Sequence, residues 1–183
     1  EQRSLLRSLA NQTIHTVEDF EQTLKNVAFL KKEQTDTTMI LGMLSPNTYE
    51  VYWTSTPEQI IARLLLESNK QKNELLSRVD TLQYSWNEYL IMASIIEWEY
   101  KFEEEKKRIS GLYWNRIERG MRLQADPTVN YALGERRRLL YRDYSYEHPY
   151  NTYLHKGLPP GPITNPSYSS IMAAMTPEEH TYL

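Results

Sequence analysis

The stretch LIMASIIEWEY, residues 90–100, holds the longest apolar run of the chain and predicts its central element. Just upstream, Ser85 and Glu88 form a capping-box pattern that opens a helix. Seven apolar or small residues then follow without a break, from Leu90 to Ile96. Because no polar stripe interrupts this run, we expect the helix to be buried on most sides and the other elements to pack around it.

Glu97 follows this run and allows two interpretations. It lies one helical turn beyond Ala93 and Ser94, which are both small, so it could be a buried carboxyl group. Burial would raise its pKa and suit a general acid. Alternatively, the helix surfaces at this point and Glu97 faces water. Periodicity alone favours the exposed position, because glutamate is rarely fully buried.

A glycosidase with paired carboxylates would need a second acid near Glu97. Glu99 lies two residues further along the helix and points away from Glu97. Asp126 is the best distant partner, although an Asp before a Pro is more typical of a turn. The sequence therefore predicts one good acid and leaves its partner open.

The rest of the chain predicts an α+β fold, rich in helices, with short strands in a single catalytic domain. Thr56, Pro57 and Gln59 mark the start of the clearest helix of the first half, whose apolar stripe extends to Val79. Three stretches favour short strands because they are apolar or rich in β-favouring residues. These are MILGML (39–44), TYEVYW (48–53) and the start of MRLQ (121–124).

Composition excludes several kinds of site and partner. The chain has no cysteine, which removes disulfides, zinc–thiolate sites and thiol nucleophiles. His148 and His155 lie in a proline-rich loop without the spacing of metal ligands, so we expect no metal site. A net charge of −3 argues against nucleic acid as the main partner. The apolar run is also far shorter than the roughly 20 residues that span a bilayer.

Tyrosine is unusually common, with fourteen against three phenylalanines. Five of these tyrosines lie within residues 141–153. Their rings can stack on sugar faces and their hydroxyls can form hydrogen bonds, which favours carbohydrate recognition. Tyrosines beside arginines would also suit RNA, but the chain is acidic and lacks an RNP-type motif. For any single tyrosine, half-buried packing is the simpler interpretation.

Four longer stretches occur in the order typical of one bacterial family. They are LSPNTYEVYW (44–53), LIMASIIEWE (90–99), GLYWNRIERGMRLQADPTVNYALG (111–134) and HPYNTYLHKGLPPGPITNPSYSSIMAAM (148–175). They resemble the endolytic murein transglycosylases, the MltG or YceG-like proteins, from about residue 40 to the end of the chain. This chain has EWEY at 97–100 where the family often has EKET, a departure beside the candidate acid.

The resemblance implies a lytic transglycosylase of peptidoglycan. Such enzymes cleave the β-1,4 bond between N-acetylmuramic acid and N-acetylglucosamine endolytically, leave 1,6-anhydro ends and limit glycan strand length. No cofactor or metal is implied. Within ASIIE, Glu97 becomes the catalytic acid and base, which reverses the preference for an exposed Glu97. The substrate-binding residues implied are Gln124, Tyr150, Asn151, Asn115, Asp126, Tyr131 and Tyr153.

Two other activities remain open at this point. One is a non-catalytic module that binds glycan or acts as a scaffold in wall synthesis, which the altered EWEY stretch keeps in play. The other is a hydrolase that leaves reducing ends.

The resemblance also implies a domain arrangement and a location. Residues 1–35 would be the tail of an N-terminal LysM-like or linker region. Residues 36–183 would be the catalytic domain without its C-terminal end, so the chain is expected to be truncated at both ends. A segment outside this chain would anchor the protein in the bacterial inner membrane, with the catalytic domain facing the periplasm or the cell exterior. The expected partners are peptidoglycan strands and penicillin-binding synthases, and no nucleic acid.

Overall fold

Helices make up the regular structure in the parts of the chain that the computed structural model describes, residues 2–99 and 103–183. The α-helices are α1 (Gln2–Asn11), α2 (Val17–Lys25), α3 (Val27–Lys32), α4 (Ile40–Met43), α5 (Pro57–Leu76), α6 (Trp86–Glu99), α7 (Glu103–Glu118), α8 (Asp126–Leu133) and α9 (Tyr168–Met175). A short 3-10 helix, Tyr141–Ser145, lies between α8 and α9. No helix among these described residues has the length and apolar character needed to cross a membrane.

The predicted α+β class is wrong, because residues 2–99 and 103–183 contain no strand. The helix predicted from Thr56 is confirmed as α5, and its capping box is present. The Thr56 hydroxyl accepts the Gln59 N–H at 3.3 Å, and the Gln59 side chain accepts the Thr56 N–H at 3.0 Å. Local capping signals were therefore reliable, whereas short β-favouring runs were not.

Residues 39–44, predicted as a strand, contain α4 instead. Asp36 forms a turn just before the helix, because its carboxylate accepts the backbone N–H groups of Thr38 and Met39 at 2.7 and 2.9 Å. Ile40 and Leu44 then lie four residues apart on one buried face. An apolar run of six residues fits one buried helical turn as well as a strand.

The other two predicted strands have no regular secondary structure. In residues 48–53, Tyr52 and Trp53 are exposed, at 85% and 60%. In residues 121–124, Gln124 has a φ of +52°, which interrupts an extended chain. A single β-favouring segment gains little without a neighbouring strand to share its backbone hydrogen bonds.

Two hydrophobic clusters form the interior of the described chain. The N-terminal cluster gathers buried side chains from α1 to the first half of α5, among them Leu6, Phe20 and Ile60. The C-terminal cluster is built around α6, with side chains from α7 and α9. The long helix α5 joins them, because its last turn places Leu75 in the C-terminal cluster. Each fully buried aliphatic side chain contributes about 1.5–3 kcal/mol.

Helix α6 is the centre of the C-terminal cluster, as its sequence predicts. Every residue from Tyr89 to Ile96 is buried, and α4, α7, α8 and α9 all pack against it. The capping box at its start is also present, since Ser85 N–H donates to the Glu88 carboxylate at 2.7 Å. A helix surrounded on all sides needs no polar stripe, which explains the unbroken apolar run.

The C-terminal turns of α6 hold the segment that leads into α9. Ser94 is fully buried, and its hydroxyl accepts the Ile163 N–H at 3.0 Å while donating to the Ile91 carbonyl at 2.7 Å. Glu97, one turn further on the same helix face, contacts Ser167. Two successive turns of α6 therefore fix one loop, and this contact places the site described next.

Candidate functional site

Glu97 lies where the end of α6 meets the start of α9, and one of its carboxylate oxygens is tightly held. Oε2 accepts the Ser167 N–H at 3.1 Å, the Ser167 hydroxyl at 2.5 Å and the Ser170 hydroxyl at 2.6 Å. We call Ser167 and Ser170, together with Lys106, the serine cradle. Fixing Oε2 in this way sets the direction of the other oxygen, Oε1.

The start of α9 explains why these serines meet a carboxylate. Ser167 is the N-cap residue of α9, with extended φ and ψ of −71° and 162°, and its hydroxyl accepts the Ser170 N–H. Unpaired N–H groups at a helix N-terminus carry partial positive charge, which favours a nearby carboxylate. The carboxylate of Glu97 thus occupies a place that the local backbone already makes favourable for an anion.

Lys106 is the buried cation of the cradle. It is only 4% exposed, and its Nζ lies 2.9 Å from the Ser169 hydroxyl and 3.1 Å from the Glu103 carboxylate. Its distance to Glu97 Oε2 is 3.9 Å, an ion pair without a direct hydrogen bond. Lys106 thus adds positive potential behind Glu97, and this is one of the causes that lower the Glu97 pKa.

The pKa of Glu97 corrects the expectation of a raised value. Burial of the carboxyl group alone would raise its pKa, but hydrogen bonds from Ser167 and Ser170 and the charge of Lys106 outweigh burial and lower it. The side chain keeps 32% of its surface exposed, so it is neither fully buried nor on an open face. Glu97 is therefore an ionised carboxylate at neutral pH.

Glu97 faces a cavity of about 470 Å³ that is open to solvent. Its described walls consist of Glu97, Trp98, Arg136, Thr164 and Asn165 together with Ser4, Leu5, Ser8 and Pro46. The guanidinium of Arg136 lies over the Trp98 ring, 5.4 Å from its centroid. Tyr100, the other unusual residue of the EWEY stretch, is outside the described residues.

A second group of polar side chains surrounds Asp126, the first residue of α8. Its carboxylate accepts the Tyr153 hydroxyl at 2.6 Å and the Tyr144 hydroxyl at 3.5 Å. We call these three residues the tyrosine cluster. Glu99 reaches solvent nearby, and burial on its protein side together with the charge of Asp126 raises its pKa.

Asn151 has a structural position in this region. It is fully buried, and its amide donates to the carbonyls of Tyr144 and Tyr146 at 3.1 and 2.8 Å. Its side-chain oxygen accepts the Tyr153 N–H at 3.0 Å. Both amide hydrogens are thus used to hold the loop, and neither is directed at a ligand.

The remaining predicted binding residues are not among the described walls of the Glu97 cavity. Gln124 is exposed and strained at positive φ, while its N–H donates to the Thr152 carbonyl at 3.2 Å. Tyr131 and Tyr150 form a ring pair with centroids 4.6 Å apart. Asn115 donates its amide hydrogens to backbone carbonyls of the C-terminal segment, at 2.8 and 3.1 Å.

The structure therefore brings the predicted residues into separate groups. Asp126, Tyr153 and Asn151 are linked to one another, and Tyr131 pairs with Tyr150. Among the residues described around the Glu97 cavity, none of the seven predicted binding residues occurs. Their contact with substrate stays a prediction.

Sequence reasoning missed the serine cradle. A serine followed three residues later by another serine, before the apolar run of α9, is an N-cap signal that could have revealed Ser167 and Ser170. Lys106 could not have been found, because it lies in the charged run EEEKKR, a pattern that predicts a solvent-exposed helix face. In residues 2–99 and 103–183, no three His, Asp or Glu side chains are grouped so that they could hold a metal ion.

Comparison with known proteins agrees with the motifs. The sequence profile described as the YceG-like family matches residues 2–183. The chain is 36% identical over 167 residues to the endolytic murein transglycosylase of Bacillus subtilis (strain 168), covering 90% of this chain and 46% of that protein. It is 28% identical over 187 residues to the endolytic murein transglycosylase of Streptococcus pneumoniae serotype 2 (strain D39), covering 86% and 34%.

A solved structure is also similar. The 2.6 Å crystal structure of a yceG-like protein, lmo1499, from Listeria monocytogenes matches with a TM-score of 0.79 at 33% identity. The match covers 95% of this chain and 62% of that one. This chain spans less than half the length of the two curated relatives named above.

Proposed function

The chain belongs to the YceG-like family, and we propose that it carries the catalytic centre of an endolytic peptidoglycan lytic transglycosylase with Glu97 as acid and base. One observation carries the proposal. Glu97 borders an open cavity, and its Oε2 is fixed by three hydrogen bonds. A carboxyl group held this firmly presents Oε1 in a defined direction, as proton transfer requires.

In the first step Glu97 acts as the acid. Protonated Glu97 transfers its proton to the oxygen that joins the muramic and glucosamine rings, and the bond from this oxygen to the muramic anomeric carbon breaks. Because the free protein holds Glu97 ionised, the proton has to be acquired as the glycan enters. A bound glycan excludes water from the exposed third of the side chain, and this desolvation favours the protonated form.

In the second step Glu97 acts as the base. Its carboxylate takes the proton of the muramic 6-hydroxyl while that oxygen bonds to the anomeric carbon, which closes the 1,6-anhydro ring. No water is consumed, and Glu97 ends this step protonated. Because its pKa is lowered in the free protein, Glu97 gives up this proton once the product leaves and is a carboxylate between turnovers.

The attacking hydroxyl belongs to the substrate, which removes the need for a second carboxylate to position water. The described cavity walls agree with this, since Glu97 is the one acid among them. Holding the hydroxyl near the anomeric carbon contributes to the rate through proximity. The cavity and the intramolecular mechanism are therefore consistent.

The wider setting is part of the same proposal. A peptidoglycan substrate places the site outside the cytoplasm, and a segment not included in this chain would anchor the protein in the membrane. Residues 36–183 would form the catalytic part and residues 1–35 the end of a LysM-like region. Penicillin-binding synthases are the proposed partners, because cleavage would set the length of the strands they make.

The test is the identity of the product ends. Purified glycan strands are digested with the wild-type protein, with Glu97→Gln, and with Glu104→Gln as an exposed control on α7, and the ends are identified by mass spectrometry. We expect anhydro ends from the wild type and the control, and almost none from Glu97→Gln. Equal turnover by Glu97→Gln would overturn the assignment of the acid, and reducing ends would indicate a hydrolase instead.

A further inference from the structure

A second cavity lies beside the start of α5 and shares none of its described walls with the Glu97 cavity. Its volume is about 470 Å³, and it is open to solvent. The described walls are Glu50, Val51, Tyr52, Ser55, Gln59 and Arg63. The proposed reaction uses none of these residues, so their arrangement can be interpreted independently of catalysis.

Two aromatic rings are exposed at the edge of this second cavity. Tyr52 is 85% exposed and forms part of the wall, and Trp53, the next residue, is 60% exposed. We call these two residues the aromatic turn. Single apolar side chains are common on protein surfaces, but two adjacent aromatic rings beside a cavity indicate a binding surface.

The backbone of the aromatic turn is fixed by hydrogen bonds. The Ser55 N–H donates to the Tyr52 carbonyl at 3.0 Å, which closes a β-turn over residues 52–55. His15, in the loop between α1 and α2, donates from Nε2 to the Ser55 carbonyl at 2.8 Å. Thr56 then begins the capping box of α5. The backbone beneath the two rings is therefore ordered before a ligand arrives, so binding loses less conformational entropy.

The other walls of the second cavity supply groups that complement an amino sugar. Gln59 uses its side-chain oxygen to accept the Thr56 N–H at 3.0 Å, which leaves its amide nitrogen as a donor. Glu50 is exposed and offers acceptor oxygens, and Val51 is a partly buried apolar contact. Sugar hydroxyls both donate and accept hydrogen bonds, and an acetamido group ends in an apolar methyl. The lining therefore matches an N-acetylated sugar that stacks on an aromatic ring.

Charge argues against other ligands that exposed aromatic rings can bind. The described walls contain one acid, Glu50, and one base, Arg63, and Arg63 already pairs with Glu67 at 3.0 Å. Anionic membranes attract clusters of Lys and Arg, and single-stranded nucleic acid also requires a positively charged groove. The face of a sugar ring is uncharged and needs no such cluster, so the second cavity favours glycan.

The chain itself links the two cavities. Pro46 borders the Glu97 cavity, and Glu50, four residues further on, borders the second one. Four residues of extended chain span at most about 14 Å. The two walls therefore lie within the length of a short oligosaccharide, and one glycan strand is long enough to occupy both cavities.

We propose that the aromatic turn is a second glycan-binding site, where a sugar ring of the peptidoglycan strand stacks on Tyr52 or Trp53 while Glu97 acts elsewhere on the same strand. The inference rests on the proposed function, because it takes the identity of the glycan from it. The second site holds the strand on one side of the bond to be cleaved. It thereby makes the protein favour long strands over short ones.

The experiment measures binding separately from cleavage. Long glycan strands without stem peptides are titrated by calorimetry into Glu97→Gln, which lacks the proposed acid. The titrations are repeated after adding Tyr52→Ala, Trp53→Ala, or Tyr52→Phe, which keeps the ring. Val27→Ala is the control, because Val27 is 75% exposed and borders neither cavity. Urea unfolding checks that each variant folds, and truncating two exposed rings removes little packing.

We expect Tyr52→Ala and Trp53→Ala each to weaken strand binding about three- to tenfold, the usual contribution of an aromatic stacking contact. Tyr52→Phe and Val27→Ala should bind like the parent protein. With Glu97 intact, the two alanine variants should raise KM for long strands and leave kcat unchanged. A loss of binding in one alanine variant alone identifies the ring that stacks.

Unchanged strand binding in both alanine variants would overturn the proposal, and so would an equal loss in Tyr52→Phe and Val27→Ala. Vesicles of phosphatidylglycerol test the alternative ligand. Vesicle binding that depends on Tyr52 and Trp53, with glycan binding unchanged, would assign the aromatic turn to a membrane and also overturn the proposal.

Product ends are identified in parallel for the protein with Glu97 intact. Anhydro ends together with glycan binding that ignores the aromatic turn would refute only the second site. Binding that depends on the aromatic turn without anhydro ends would refute the proposed reaction and leave the second site standing. No binding of glycan would refute both.

Discussion

The serine cradle and the tyrosine cluster both hold a carboxylate near the start of a helix, yet their effects on the pKa of a neighbouring glutamate are opposite. In the cradle, serine hydroxyls, a backbone N–H and a buried lysine converge on Glu97 and lower its pKa. In the tyrosine cluster, tyrosine hydroxyls bind Asp126, and the charge of Asp126 adds to burial in raising the pKa of Glu99. Hydrogen bonds from serine hydroxyls and a backbone N–H, together with the charge of a lysine, stabilise an anion, whereas a second acid close by does not.

This difference separates two criteria for a catalytic acid. Judged by the direction of the pKa shift alone, Glu99 would be the better proton donor, because its pKa is raised and that of Glu97 is lowered. Judged by geometry, Glu97 is the candidate, because it borders the open cavity and has one oxygen fixed. Position relative to the substrate comes first in general acid catalysis, and the pKa can change when the substrate binds.

The largest expected effect is the loss of kcat when the catalytic acid is replaced, and it distinguishes Glu97 from Glu99. We expect Glu97→Gln to lower kcat by about 10²–10⁴-fold, the usual contribution of a general acid or base. Rates of anhydro-end formation on purified strands would measure this. A comparable loss in Glu99→Gln with Glu97→Gln still active would transfer the catalytic role to Glu99.

Removing a donor from the cradle tests how the low pKa of Glu97 arises. Ser170→Ala deletes a 2.6 Å hydrogen bond to the carboxylate, so the pKa of Glu97 should rise. Since the acid step needs the protonated form, the fall of kcat/KM at higher pH should move to higher pH. A pH–rate profile from pH 4 to 9 measures this shift.

Stability should respond to the same change. Glu97 has a lower pKa in the folded than in the unfolded chain, so its hydrogen bonds stabilise the fold above the ordinary glutamate pKa. Ser170→Ala should therefore cost about 1 kcal/mol at neutral pH and less as the pH falls through the folded pKa of Glu97. An unchanged pH–rate profile together with a pH-independent loss of stability would argue that Ser170 only packs.

In the tyrosine cluster the corresponding change should affect stability more than activity. Tyr153→Phe removes the 2.6 Å hydrogen bond to Asp126 and should destabilise the protein by about 1 kcal/mol. We expect kcat/KM to stay within about threefold, a change in activation free energy below about 0.7 kcal/mol, because Tyr153 is not among the described walls of the Glu97 cavity. Urea unfolding and strand cleavage measure the two effects. A selective rise in KM would instead support the predicted contact of Tyr153 with substrate.

The smallest expected effect is on stability, and it tests whether the charge of Asp126 destabilises ionised Glu99. The pKa of Glu99 is raised in the folded chain, so the native state holds its proton more tightly than the unfolded state between the two pKa values. Stability should therefore fall as the pH rises through this window. Glu99→Gln removes the fall, and at pH 7 it should be more stable than the wild type by about 0.3 kcal/mol, since Glu99 reaches solvent. Thermal unfolding at pH 4 and pH 7 compares the two proteins, and a loss of stability at pH 7 would contradict the raised pKa.

How far the sequence could predict the molecule depends on how local each signal is. The start of α5 and the buried nature of α6 depend on neighbouring residues, through a capping box and an unbroken apolar run, and both predictions are confirmed. The strand predicted at residues 39–44 failed because a short apolar run fits one buried helical turn as well as a strand. The strand predicted at residues 48–53 failed because nothing in its own sequence shows whether another strand will pair with it.

The site shows the same division. Glu97 was identified through the family motif that contains it, because periodicity alone favoured an exposed side chain, and its catalytic role stays a prediction. The burial of Asn151 could not, because its partners are backbone carbonyls of a loop without any periodic pattern. Lys106 is buried within a charged run only because α9 packs over it, through contacts 63 residues away in the chain. Long-range contacts of this kind leave no mark on the local sequence.

The contact between Glu97 and Ser167 also has a mechanical meaning. The same oxygen that joins the end of α6 to the start of α9 belongs to the group that exchanges a proton in every proposed turnover. A neutral carboxyl group accepts hydrogen bonds more weakly than a carboxylate. The contact between α6 and α9 through Glu97 therefore weakens when Glu97 gains its proton and strengthens when it gives the proton up. Ser94 holds the same loop one turn earlier, through a hydrogen bond to the Ile163 N–H that does not depend on pH. This bond keeps the two helices aligned while the contact between Glu97 and Ser167 is weakened.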